Sequence, residues 1–207
     1  MTTMTKRAFA IGAHPDDIEF FMAGTLLLLQ RAGYEIHYLN VADGCCGSTV
    51  TNRDETARIR RAEGQQAARS VGAIFHDSLC HDLEIFYDLP TLQRLASVIR
   101  AVAPEIILTH PPSDYMEDHT TTCRLVVTAA FTRGMPNFPV HPELPPVAQK
   151  VTIYHAQPFW NQTPLRERVV PDYFVDVSDV EEQKVAMLAC HASQKKWLDE
   201  SQGYDSY

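Results

Sequence analysis

The sequence predicts an α/β fold: one Rossmann-like, three-layer domain built around a mostly parallel sheet. Short apolar runs alternate with stretches of helical period from the N-terminal end onward, and glycines stand where helices are expected to stop. No repeat, low-complexity tract or linker breaks the pattern. With 207 residues, 45% of them apolar, the chain is long enough for one well-buried core and short for two. One domain over residues 1–207 is expected.

Residues 7–13 read as a first strand. Residues 17–32 follow as a helix, with Phe20, Phe21, Leu27 and Leu28 near helical spacing and Gly33 at the expected C-cap. Residues 34–42 form a second strand closed by Asp43-Gly44, and residues 52–71 a long polar helix ending at Gly72. A third strand is placed at 73–79, a helix at 89–102, and a fourth strand at 105–109 running into the turn-prone HPPSDYMED. Asp118 is then expected to cap a helix reaching Phe131. Residues 134–146 hold five prolines, which excludes helix and central strand and leaves a stiff loop: a lid, a subunit contact or a plain surface connection. Residues 151–155 and 173–177 read as late strands, and 179–199 as a closing helix opened by Ser178 and Asp179.

Composition narrows the function. The formal charge of −8 disfavours nucleic acid, whose phosphates need clustered Lys and Arg. No apolar run approaches the roughly 20 residues that span a bilayer. Five cysteines without a C-x-x-C pair fit reduced thiols, so a cytoplasmic protein is expected. Cys45-Cys46 reads as structural, because a vicinal pair is awkward for one tetrahedral ion. His37, His76, His81 and His141 have no partner identifiable from sequence.

The chemistry concentrates where the first strand meets its helix, in Ala13-His14-Pro15-Asp16-Asp17. Open α/β sheets place ligands at such turns. His14 and Asp17, three residues apart, can reach one point, and an imidazole nitrogen with a carboxylate oxygen is a legitimate zinc pair. In a sheet of order 3-2-1-4-5 the first and fourth strands are neighbours, and their helices leave to opposite faces. Asp118-His119, at the start of the helix after strand four, therefore meets the first turn. The expected metal set is His14, Asp17 and His119, with Asp16 beside the ion as general base. An ordinary dinucleotide site is disfavoured, since this turn lacks glycines and carries two carboxylates where a pyrophosphate would sit.

These residues resemble the LmbE-like or PIG-L N-acetylglucosaminyl deacetylases, whose first motif is A-H-P-D-D. The stretch from Pro111 to His119 is similar to the second, P-x-x-D-x-H-x-D-H. Ala42-Asp43-Gly44 with Gly47, Arg60-x-x-Glu63 and Asp82 are weaker likenesses, and the resemblance spans about residues 7–130 with echoes at 184–198. It implies zinc-dependent removal of an acetyl group from an amino sugar or sugar conjugate. Zn2+ is the implied cofactor, one ion per chain, although N and O donors also accept Fe2+. Arg60 and Asp82 are implied as substrate contacts, and a homo-oligomer, trimer or hexamer, as the assembly. Met116 stands where the family has a histidine that protonates the leaving group or steadies the oxyanion. A thioether does neither. That leaves open a substitute among His110, Tyr115 and His155, slow turnover, or a zinc- and sugar-binding protein without hydrolysis.

Overall fold

The computed structural model describes residues 5–202. Five parallel strands form one sheet of order β3-β2-β1-β4-β5: β1 (Arg7–Gly12), β2 (Glu35–Asn40), β3 (Ile74–His76), β4 (Ile106–Thr109) and β5 (Thr152–His155). β1 and β4 are hydrogen-bonded neighbours in register from Ala8↔Ile106 to Ile11↔Thr109, so the order reverses between them. α1 (Asp17–Phe21) and α2 (Ala23–Arg31) follow β1, and α3 (Arg53–Ser70) follows β2. All three cover one face, where Ala8, Ala10, Ile36 and Tyr38 meet Ile18, Leu26 and Ala68. α4 (Leu89–Val102) and α5 (Glu117–Thr132) cover the other, around Phe9, Ile11, Leu39 and Ile107. Period-two side chains in a doubly covered sheet produce these two cores.

The helix starts follow local chemistry. Asn52 caps α3 by accepting from the Glu55 amide at 3.0 Å, and Asp88 caps α4 through the Thr91 amide at 2.8 Å. The proline-rich residues 134–146 contain no helix or strand. They are tied to α4 by buried Arg100, which donates to the carbonyls of Met135, Phe138 and Leu144, and by Ser97 donating to Pro142 at 2.6 Å.

Four expectations need correction. The first helix is interrupted at Met22 (φ −128°), giving α1 and α2. The third strand is only three residues long, and Cys80 makes an isolated bridge to Ala42. Residues 173–177 are not a strand: Tyr173 and Phe174 face solvent, and Val177 lies so close to Gly24 of α2 that an added Cβ there would meet it at 2.6 Å. The closing helix is split into α6 (Glu181–Leu188) and α7 (Ala192–Gln202), preceded by a 3-10 turn at Ser178–Val180. The break lets His191 turn inward, with Nε2 3.4 Å from buried Glu19, while the Ser193 amide and hydroxyl both donate to Glu63. Among the described residues no helix is long and apolar enough to cross a membrane.

Candidate active site

The loops after β1 and β4 converge at the reversal of the sheet. Asp17 opens α1 and turns its carboxylate back on the loop, where Oδ2 accepts from the amides of Ala13 at 3.1 Å and His14 at 2.7 Å. His14 Nδ1 lies 3.5 Å from Asp17 Oδ2, and His119 Nε2, from the first turn of α5, lies 3.3 Å from Asp17 Oδ1. One ligand atom from each of His14, Asp17 and His119 falls within 4.8 Å of the others. These are the three expected ligands, brought together across about a hundred residues of chain.

The far side of each imidazole is answered by carboxylates. His14 Nε2 donates to Asp118 Oδ2 at 2.9 Å and approaches Asp82 Oδ1 at 3.0 Å. His119 Nδ1 faces Asp114 Oδ1 at 3.2 Å. A carboxylate behind a ligating histidine fixes the ring and raises its basicity. His110 stacks on His119 with ring centroids 3.9 Å apart and accepts from the Ala13 amide at 2.9 Å.

Charge follows from these contacts. Burial works against protonation of His14, yet hydrogen bonds to Asp118, Asp17 and Asp82 outweigh it and hold its pKa well above the ordinary value. The same opposition, won by Asp17 and Asp114, lifts His119 to about 9. Burial pushes the Asp17 carboxyl up, but the charge of His119 first, then that of His110 and the His110 hydrogen bond, carry it well below the usual range. His110 goes down, because burial dominates. Four buried carboxylates thus surround three imidazoles, an arrangement that favours added positive charge. His119 gives the sharper test of fit. Both of its ring nitrogens are buried and neither makes a hydrogen bond of acceptable geometry, a costly state for a polar atom that a cation would relieve. The donor set and this orphaned ring fit a divalent metal ion.

Asp16 has φ 110°, in the left-handed region, a conformation that costs a non-glycine residue about 1–3 kcal/mol. Buried Arg60 braces it, with Nη2 donating to the Pro15 carbonyl at 2.5 Å and standing 3.7 Å from Asp16 Oδ1. Nη1 of Arg60 donates to the Gly44 carbonyl at 3.2 Å. Gly44 has φ +71°, and a Cβ there would fall 2.5 Å from the guanidinium, so both backbone and space demand glycine.

Asp82 and Arg60, expected to contact substrate, are engaged inside the protein: Arg60 on the carbonyls of Pro15 and Gly44, and Asp82 on His14 and on the Cys46 amide, from which it accepts at 3.1 Å. Asp118 neither caps α5 nor backs His119. The helix begins one residue earlier, and Oδ2 of Asp118 takes the Leu83 amide at 3.0 Å together with His14. Sequence reasoning missed the role of Asp114, although it stands at a fixed place in the second motif. Met116 is half-buried at the N-cap of α5. Of its three possible substitutes, His110 lies within the cluster, Tyr115 sits over His119 at 5.8 Å, and His155 is turned to the His110 carbonyl at 2.8 Å.

Comparison with known proteins finds relatives that match nearly the whole chain. The diacetylchitobiose deacetylase of Thermococcus kodakarensis is 30% identical over 199 residues, covering 91% of this chain and 70% of that protein. The 4-oxalmesaconate hydratase of Pseudomonas putida is 28% identical over 94% of this chain and 76% of its own length. Among solved structures, N,N'-diacetylchitobiose deacetylase from Pyrococcus horikoshii superposes with a TM-score of 0.80 at 26% identity, over 96% of this chain and 74% of that one. The family model described as PIG-L, GlcNAc-PI de-N-acetylase, matches residues 9–130, a span that holds every residue of the cluster, and the chain belongs to that family.

Proposed function

We propose that the protein is a zinc-dependent hydrolase that removes an N-acetyl group from an amino sugar or sugar conjugate, with His14, Asp17 and His119 as ligands and Asp16 as general base. The observation that carries this is His119, a buried imidazole whose nitrogens face Asp17 at 3.3 Å and Asp114 at 3.2 Å without a well-aligned hydrogen bond to either. Relatives named as deacetylases give the reaction class. Bound there, the ion supplies Lewis-acid polarisation of the amide carbonyl and acidifies the attacking water. Asp16 takes the water's proton, and its strained backbone is held in place by Arg60 through the Pro15 carbonyl. Asp82 and Asp118 hold the ring of His14, and Asp114 that of His119. Water and amide yield acetate and a free amine. Fe2+ suits the same N and O donors. The reading extends to a cytoplasmic homo-oligomer, trimer or hexamer, and the exposure of Trp160, Leu165 and Phe174 supports such contacts.

The test is metal analysis of purified protein with an acetate-release screen over N-acetyl sugars. We expect about one zinc per chain, and in Asp16→Asn a loss of about 10²–10⁴-fold in turnover with the metal retained. Folded, zinc-free protein from zinc-supplemented cells would overturn the reading.

Met116 supports a second reading. Adding water to a carbon–carbon double bond leaves no amine to protonate, and one relative is named a hydratase. Met116→His separates the possibilities: acetate release rising by roughly 10²-fold marks an impaired deacetylase. Unchanged amide hydrolysis, with hydration of an unsaturated polycarboxylate such as 4-oxalmesaconate, marks the other chemistry.

A further inference from the structure

The loop after β2 and the turn after β3 assemble a second set of donors outside the cluster described above. Asp43 Oδ2 accepts from His81 Nδ1 at 2.6 Å, and Asp43 Oδ1 accepts from the Cys45 amide at 3.1 Å. One ligand atom each from Asp43, Cys45 and His81 lies within 4.8 Å of the other two. Atoms that share a zinc ion at about 2.0–2.3 Å stand no more than roughly 4.6 Å apart. The set closes around an ion with small side-chain shifts.

A surface turn held by hydrogen bonds would need only Asp43 and His81. Here a buried thiol joins them, and a cavity of about 200 Å3 lined by Cys45, Arg53, Asp54, Ala57 and His81 leaves room for solvent as a fourth ligand. Arg53 Nε donates to Cys45 Sγ at 3.3 Å, while the guanidinium charge is answered by Glu84 at 2.5 Å. That N–H can remain on a coordinated sulfur. Burial pushes the Cys45 thiol up to about 11, so the thiol is protonated near neutral pH and a metal must displace its proton.

We propose that Asp43, Cys45 and His81 form a second cation site, selective for thiophilic divalent ions such as Zn2+ or Cd2+. On loading, the sulfur–hydrogen bond breaks, a sulfur–metal bond forms, and one proton passes to the buffer. The ion pins the loop at residues 43–47, whose Cys46 amide holds Asp82. The His14, Asp17 and His119 set contains no sulfur, so a thiolate-to-metal charge-transfer band separates a cysteine site from it, and Cys45→Ser tells Cys45 from the four other free thiols.

The experiment titrates CdCl2 into the purified chain, following that band in the near ultraviolet, bound metal by equilibrium dialysis, and proton release. Wild type should bind two Cd2+ per chain, His119→Ala one with the band intact, and Cys45→Ser one without it. His81→Ala, at an exposed position where folding is not at stake, should weaken the band-forming event at least tenfold. A wild-type chain without the band, a band that survives Cys45→Ser, or an unchanged affinity in His81→Ala overturns the proposal. His119→Ala and Cys45→Ser strip different sites, so this result is independent of the catalytic reading.

Discussion

Two pairs of histidines, withdrawn from water to different degrees, stand around this one sheet and are shifted in opposite directions. His14 and His119, at the β1–β4 reversal, are pushed up, His119 to about 9. His37 and His76, on β2 and β3, are pushed down, His76 to about 4. Both pairs suffer desolvation, which alone disfavours the charged ring. The second pair has little to oppose it. Phe9 packs on both rings, His37 Nδ1 and His76 Nε2 bond to each other at 2.9 Å, and the carboxylates nearby are already engaged: Glu35 is shared with Arg7, and Asp77, whose pull on His76 burial outweighs, is paired with Arg61. The first pair faces Asp17, Asp82, Asp114 and Asp118. Burial makes an imidazole a neutral structural piece, and surrounding carboxylates turn the same burial into a place for positive charge.

The comparison breaks most visibly at Asp17, the one carboxylate common to both members of the first pair. Asp17→Asn should abolish zinc retention and cut acetate release by about a thousandfold, the several kcal/mol ascribed to such an ion. Asp17 also accepts two loop amides, so the variant should be checked for native circular dichroism before its metal content is read. Full zinc occupancy in a folded Asp17→Asn protein would show that the carboxylates around His14 and His119 serve packing alone.

A smaller effect is expected one layer out. Asp114→Asn and Asp118→Asn each leave all three ligands in place and remove the charge behind one ring. Zinc affinity should fall about 10–100-fold in each, as measured by competition with a chelator. If Asp118→Asn matched wild type, the contact at 2.9 Å to His14 would be a cap for the Leu83 amide and nothing more.

Strand order and the meeting of His14 with His119 were legible because both follow from local pattern plus one topological rule. Apolar runs alternating with helical stretches specify a parallel sheet, and position 119 opens the helix after β4. What stayed hidden depends on contacts between distant residues. Tyr173 and Val175 alternate like a strand, but no strand edge receives them, and Val177 docks on Gly24 instead. The split between α6 and α7 arises because His191 and Ser193 answer Glu19 and Glu63, more than a hundred residues away. Asp118 reads as a cap by position, yet the ring of His14 claims its oxygen. Likewise nothing in the sequence pairs His37 with His76 or His81 with Asp43.

The smallest effect sharpens the comparison from its quiet side. His37 and His76 titrate below the roughly 6.5 of an exposed imidazole, so the unfolded chain binds more protons than the folded one between those values. Their contribution to stability is complete above about pH 6.5 and is lost as pH falls through that window toward 4. The urea midpoint of the wild type should therefore drop between pH 7 and pH 4.5. Carboxylates elsewhere add to that drop in any variant, so the informative quantity is a difference: His76→Gln retains a polar partner for His37 but cannot titrate, and its midpoint should fall less steeply. Because His76 is only partly buried, the flattening should be modest. Parallel pH curves for the two proteins would mean that burial at the β2–β3 edge does not disfavour the charged ring, and the contrast between the two pairs would need another origin.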